Sequence, residues 1–259
     1  MRFTARVGAV AALVTLVTAG CGASKDTAPP ATDATGGKLM VFAAASLKKS
    51  FTDIGEQFKT ENPGSDVEFT FAGSSDLVTQ LTQGAPGDVF ASADTNNMDK
   101  AAKANLLAGS PVYFASNTLT IVVSPGNPKK IESFRDLTRP GLAVVTCAPQ
   151  VPCGSATQKV EKASGVQLDP VSEESQVTDV LTKVTTGQAD AGLVYVTDAQ
   201  GAGDKVTAVA FPESADAVNV YPIATLKQSK NPSLATKFVD LVTGEAGAKV
   251  LTSAGFAKP

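Results

Sequence analysis

The chain of 259 residues contains no histidine, no tryptophan and only three cysteines. Without histidine there is no Ser-His-Asp triad, and a Cys/His zinc site lacks its ligands. One spacing of the serine acyl enzymes does occur, Ser46 and Lys49 in "SLKK". The S-D-N and K-T-G elements that accompany it in such enzymes are missing, and Lys48 and Lys49 read as the solvated face of a helix. No enzyme is expected. There is no Lys/Arg stripe with interleaved aromatics either, which argues against a nucleic-acid partner. The one long apolar run, Val7 to Ala19, has 13 residues, short of the roughly 20 that a membrane-spanning helix needs.

That run follows Arg2 and Arg6 and closes with "VTAGC", the order of an export signal. Residues 1–20 are therefore read as a signal peptide. The cysteine at the cut resembles that of a bacterial lipoprotein signal, in which the thiol of Cys21 would receive a lipid and anchor the chain on the outer face of the cell membrane. Residues 21–37, poor in large apolar side chains, read as a lipidated flexible tether. The body runs from residue 38 to 259. Removing Arg2 and Arg6 leaves 20 basic against 25 acidic residues, a net charge of −5, so an anion would have to be held by local geometry. Cys147 and Cys153 remain in "CAPQVPC". In an oxidising setting a disulfide is expected over two free thiols.

Apolar runs alternate with helical patterns along the body. "LMVFAAA" (39–45) precedes a helix with Leu47, Phe51, Ile54 and Phe58 on one face. Strands are expected at 66–71, 88–93, 118–125, 141–146, 189–196, 205–211 and 217–226. Helices are expected at 74–84, 94–107 with Asp94 as cap, 131–137, 155–165 and 172–187, and two more close the chain. Such alternation gives mostly parallel sheets flanked by helices. The fold class is α/β with two lobes, the first formed by 38–117 plus 222–259 and the second by 118–221. Ligands of open α/β sheets bind beyond the carboxyl ends of the strands. Three junctions there are small and rich in hydroxyls or glycine: "AAAS" at Ser46, "AGSS", and "CAPQVPCGS". Each is by itself a capping motif, Ser46 a plain N-cap. Together they could line one cleft with helix N-termini, which are ready anion sites.

The pieces "VFAAASL", "FAGSSDLVTQL", "GAPGDVFASAD", "VPCG", "SQVTDVL" and "AGLVYVTDA" occur in order from residue 39 onward. In this the chain resembles the periplasmic molybdate-binding proteins of ABC transporters. The resemblance implies a type II periplasmic-binding-protein fold with a hinge. It implies capture of molybdate or tungstate by neutral donors, no cofactor and no direct metal ligand, a membrane permease as partner, and a monomer. Carried over by position, Ser46 and Ser74 each offer a hydroxyl and a backbone N–H. Cys153 and Val177 offer backbone N–H groups, and the Tyr195 hydroxyl closes the cage at its rim. The chain departs from the pattern at Gly73, where a serine is common, and at Cys153, where alanine is common. Rival readings are a receptor for sulfate or thiosulfate in the same fold, and a structural or adhesive lipoprotein that undergoes no ligand-induced closure. Tyr195 could also be an ordinary strand aromatic.

Overall fold

The computed structural model describes residues 36–259. The expected signal peptide, the lipid-accepting Cys21 and tether residues 22–35 lie outside the described residues. Strand β1 (Gly37–Ala44) leads through a 3-10 turn (Ala45–Leu47) into α1 (Lys48–Glu61). Then follow β2 (Ser65–Ala72), α2 (Ser74–Thr82), β3 (Val89–Ala91), α3 (Thr95–Lys103), β4 (Val112–Asn117) and β5 (Leu119–Val123). The second half continues with β6 (Val144–Cys147), α4 (Pro152–Ser164), β7 (Ser172–Glu174), α5 (Val177–Thr185), β8 (Ala191–Tyr195), α6 (Val196–Ala202) and β9 (Thr207–Val209). The chain closes with β10 (Asn219–Thr225), α7 (Pro232–Thr243) and α8 (Glu245–Ser253).

Two five-stranded sheets result, in the orders β2-β1-β3-β10-β4 and β7-β6-β8-β5-β9. The α/β architecture read from the alternation is the one observed. In each sheet three parallel strands are followed by an antiparallel one that arrives from the other lobe: β10 beside β3, and β5 beside β8. The chain passes between the sheets at Thr118 and again at Val218. The two crossings are adjacent, because Asn219 is in register with Asn117 and Leu119 with Tyr195. Residues 219–221 belong to the first sheet with the rest of β10, so the return crossing precedes the boundary expected at 222.

Local chemistry accounts for most elements. Leu47, Phe51, Ile54 and Phe58 are fully buried, as their spacing predicts. Each contributes about 1.5–3 kcal/mol by leaving water. Phe51 and Phe58 meet Phe238 of α7 edge-on, with ring centroids 5.9 and 5.4 Å apart. Asp94 caps α3, its carboxylate accepting from the Asn97 amide at 2.9 Å. Asp88, in the "GAPGDVF" motif, is a buried staple. It accepts from Met40 N at 2.7 Å, Ser229 Oγ at 2.6 Å and Lys230 N at 3.0 Å, tying β1 to the segment before α7.

Some expectations fail for non-local reasons. The helix expected over 172–187 begins only at Val177. Residues Ser172–Glu174 instead pair with β6 at the sheet edge, and Glu174 is held there by Lys183 at 2.5 Å. Strand β4 and helix α6 have no counterpart in the expected elements. The first is apolar only in part, and the second is a single short stretch, "VTDAQGA". Helix α4 begins three residues earlier than expected, so Cys153 lies inside its first turn.

Candidate functional site

Ser46, Ser74, Cys153, Val177 and Tyr195 line one small cavity between the lobes. Each stands where a strand hands over to a helix. Ser46 is the middle residue of the 3-10 turn after β1, and Ser74 is the first residue of α2. Cys153 is the second residue of α4, Val177 is the first of α5, and Tyr195 ends β8. The first N–H groups of a helix have no partner within it. The N-termini of α2, α4 and α5 therefore bring unpaired donors, and the positive ends of three helix dipoles, to one place. Ala44, Ala45, Ala72 and Ala93 form the remaining wall with Gly73, Val151 and Pro152. No charged side chain lines the cavity. The small residues bring backbone, rather than side chains, to its surface.

The two serines are not ordinary caps. Neither Ser46 nor Ser74 makes a capping bond; the capping positions of their turns are Ala44 and Gly73. Ser46 Oγ lies 3.1 Å from Tyr221 Oη. Ser74 Oγ accepts from Ala93 N at 3.0 Å, which leaves its proton free. Tyr195 Oη accepts from the Asn219 amide at 2.8 Å and likewise keeps its proton. Burial raises the Tyr195 hydroxyl well above its ordinary pKa, and the neighbouring Tyr221, Asp94 and Asp198 push it the same way. It is thus a neutral donor at any working pH. Tyr195 is fully buried and Ser46 half-buried, so the rim of the cavity is Ser46, not Tyr195.

The pairing expected of Cys147 and Cys153 is present, with an S–S distance of 2.03 Å. It joins the end of β6 to the first turn of α4, and Cys153 can offer the cavity only its backbone. Gly154 completes that tight loop, since a Cβ there would lie 2.0 Å from the Ala148 carbonyl oxygen. The lobes touch at several points around the cavity. The Asn97 amide reaches the Gln150 carbonyl at 3.4 Å. A Cβ on Gly73 would lie 2.1 Å from the Ser175 carbonyl oxygen. Gly73 has φ −60° and ψ 140°, values open to any residue, so it is this contact and not its backbone that calls for glycine.

Three participants escaped the sequence reading: Asn219, Tyr221 and the contact of Gly73 with Ser175. Asn219 did leave a signal, a lone amide in the apolar run "AVNVYPIATL", where a buried polar group must find partners. Beside the cavity, and sharing Ser46 with it, runs a groove of about 510 Å³ whose lining includes Lys48, Lys49, Asp53 and Asp198. Lys48 and Lys49 are solvent-exposed, as their place on α1 predicts.

Two α/β lobes, joined by adjacent crossings and closed over a small polar cavity, define a solute-binding protein of the periplasmic type. The chain belongs to the family of bacterial extracellular solute-binding proteins, which it matches over residues 39–257. It is 60% identical over 253 residues to the molybdate-binding protein ModA of Mycobacterium tuberculosis, covering 97% of each chain. Its fold is similar to that of the periplasmic molybdate-binding protein of Azotobacter vinelandii, with a TM-score of 0.74 at 22% identity over 85% of this chain and 99% of that one. It is equally similar to that of the sulfate-binding protein SubI of M. tuberculosis, with a TM-score of 0.74 at 20% identity over 85% of this chain and 86% of the other.

Asp198 generates a prediction about stability. Its carboxylate accepts from the Tyr195 backbone N–H at 3.0 Å, and burial pushes its pKa up to about 7. A carboxyl whose folded pKa is raised favours the folded state while it is protonated. That contribution is complete below the unfolded pKa, near 4, and is lost as pH rises through 7. Asp198→Asn keeps an acceptor for the Tyr195 N–H and removes the charge. The variant should match the parent near pH 4 and exceed it in stability at pH 8, by less than a fully enclosed carboxyl would give, because Asp198 is half-buried and lines the outer groove. Denaturant unfolding of both proteins across this range measures the difference, and parallel profiles would refute the assignment.

Proposed function

We propose that this chain captures molybdate, and tungstate, outside the cell membrane and delivers it to an ABC transporter permease, without catalysis. The observation that carries the reading is the convergence of Ser46, Ser74, Cys153, Val177 and Tyr195 on one uncharged cavity supplied with donors. A tetrahedral dianion presents acceptors on every side. Here it would meet two serine hydroxyls, a tyrosine hydroxyl held neutral by burial, and the backbone N–H groups of helix starts. The 60% identical M. tuberculosis relative, which is named for molybdate, supports the choice of anion. The fold does not separate molybdate from sulfate or thiosulfate, since SubI shares it; titration does. Lipid on Cys21 and the tether behind it would hold a monomeric receptor at the membrane surface. No helix among the described residues is long and apolar enough to cross a membrane.

Calorimetric titration of the soluble body should give one molybdate or tungstate per chain, bound far more tightly than sulfate or phosphate. Ser46→Ala and Ser74→Ala should each cost about 1–3 kcal/mol of binding, roughly five- to a hundred-fold. Tyr195→Phe should cost no less than these, because no bulk water reaches its buried site. Equal affinities for sulfate and molybdate, or serine variants that bind like the parent, would exclude this cage as the site.

Gly73→Ala tests closure separately, because it deletes no donor. Its melting temperature without ligand should equal or slightly exceed the parent's. With saturating molybdate its radius of gyration should stay above the parent's, and its affinity should fall by at least about tenfold. A compact, tight-binding variant would show that the contact with Ser175 does not limit closure. Cys21→Ala should release the full-length protein from the membrane fraction; undiminished partition with membranes would refute the anchor.

A further inference from the structure

We propose that Asn219, which does not line the cavity, sets the direction of the Ser74 and Tyr195 hydroxyls that do, and so biases the cage toward fully deprotonated oxyanions. The inference rests on the function proposed above. The Asn219 side-chain nitrogen lies 2.8 Å from Ala93 O, 2.8 Å from Tyr195 Oη and 3.3 Å from Pro152 O. Two of these neighbours are carbonyls, which can only accept, so the NH₂ group and not the amide oxygen faces them. Its two hydrogens satisfy the two short contacts, and the Tyr195 oxygen has to accept. Tyr195 thereby keeps its own proton to give, and in the closed site the neighbouring Tyr221 hydroxyl competes with the cavity for it.

The same amide reaches the second hydroxyl through one residue. It holds the carbonyl of Ala93, whose N–H is donated to Ser74 Oγ at 3.0 Å. Ser74 of the first lobe and Tyr195 of the second are thus both engaged as acceptors from behind and both present protons in front. Asn219 is 4% exposed, so solvent does not substitute for it. An oxyanion that still carries a proton, as phosphate does near neutral pH, needs an acceptor. It finds the oxygens of Ser74 and Tyr195 each already accepting one bond from behind, which leaves a single lone pair on each to receive that proton. Because the Asn219 amide spans Ala93 on one lobe and Pro152 and Tyr195 on the other, donor direction and lobe approach depend on one side chain. Asn219 is a positioning residue: it acts through Tyr195 and Ser74 rather than on the anion.

A double-mutant cycle tests this, with dissociation constants for molybdate and inorganic phosphate measured by calorimetry on the parent, Asn219→Ser, Tyr195→Phe and the double variant. Asn219→Ser should weaken molybdate binding about tenfold in the parent background and by a clearly smaller factor in the Tyr195→Phe background, where only the route through Ser74 remains. It should also narrow the ratio of molybdate to phosphate affinity. An equal loss in both backgrounds, or an unchanged ratio, would reduce Asn219 to a structural support and overturn the proposal. Asn219→Asp has the same size and can only accept, so it should draw the Tyr195 proton away from the cavity and lower molybdate affinity by more than about a hundredfold. Parent-like affinity in a folded Asn219→Asp protein would overturn it as well. A parent that binds no molybdate at all would instead remove the proposed function, and this inference with it.

Discussion

The cleft depends on the two chain crossings lying side by side, with Asn117 opposite Asn219 in the first sheet. On the proposed reading the adjacent crossings serve as a hinge, about which the lobes swing while the residues next to them stay together. Those residues are polar and buried, and each has partners. Asn117 donates to Thr197 Oγ1 at 2.8 Å and accepts from Thr118 N at 3.0 Å. Tyr221 meets Tyr195 and Phe256 edge-on, with centroids 6.0 and 5.4 Å apart. Asn219 and Tyr221 therefore stand directly behind Tyr195, which does line the cavity. Side chains that let the lobes swing also decide which protons point at whatever the lobes enclose.

A cage of neutral donors fits such a moving site better than one built on arginine or lysine. Taking an ion out of water costs several kcal/mol in a real protein, and that cost falls whenever the partner is absent. Hydroxyls and backbone amides cost far less to leave with water in an open cleft. Once the cleft closes and water leaves, the same donors act at a lower dielectric, and the helix N-termini behind them add positive potential. The cations nearest the cavity, Lys48 and Lys49, line only the outer groove, where they remain solvated.

The legible part of this site was local. Ser46, Ser74, Cys153 and Val177 each belong to a strand-to-helix junction, and a junction is visible as an apolar run, a small-residue gap and a helical period. Tyr195 closes an apolar strand, and only the resemblance singled it out. The fold class followed from the alternation for the same reason. What stayed hidden requires segments far apart in the chain to meet. Ser172–Glu174 reads as the start of a helix and becomes a strand only because β6 leaves an edge for it. Asn219 finds Ala93, Pro152 and Tyr195 across 126, 67 and 24 residues. Gly73 looks like a helix-capping glycine, and its need for a missing Cβ appears only when Ser175 of the other lobe is beside it. The seeming caps Ser46 and Ser74 invert the lesson: the residue type fits a cap, yet their hydroxyls turn to Tyr221 and Ala93.

A cavity without charge has to distinguish among tetrahedral dianions by size, since sulfate and molybdate carry the same charge and similar acceptors. Size can be read only if closure stops at a defined distance. Here the stop is backbone against backbone, Gly73 on Ser175, with α4 fixed opposite by the Cys147–Cys153 bond and the tight turn at Gly154. Neither side of that contact has a flexible side chain to yield, and close-packed interiors give little under strain. An anion too small leaves donors unpaired on one lobe, at about 1–3 kcal/mol for each buried group. One too large keeps the lobes from meeting at Gly73. On the proposed reading, selectivity within this shared fold is set by where the two backbones touch, and the donors convert that distance into affinity.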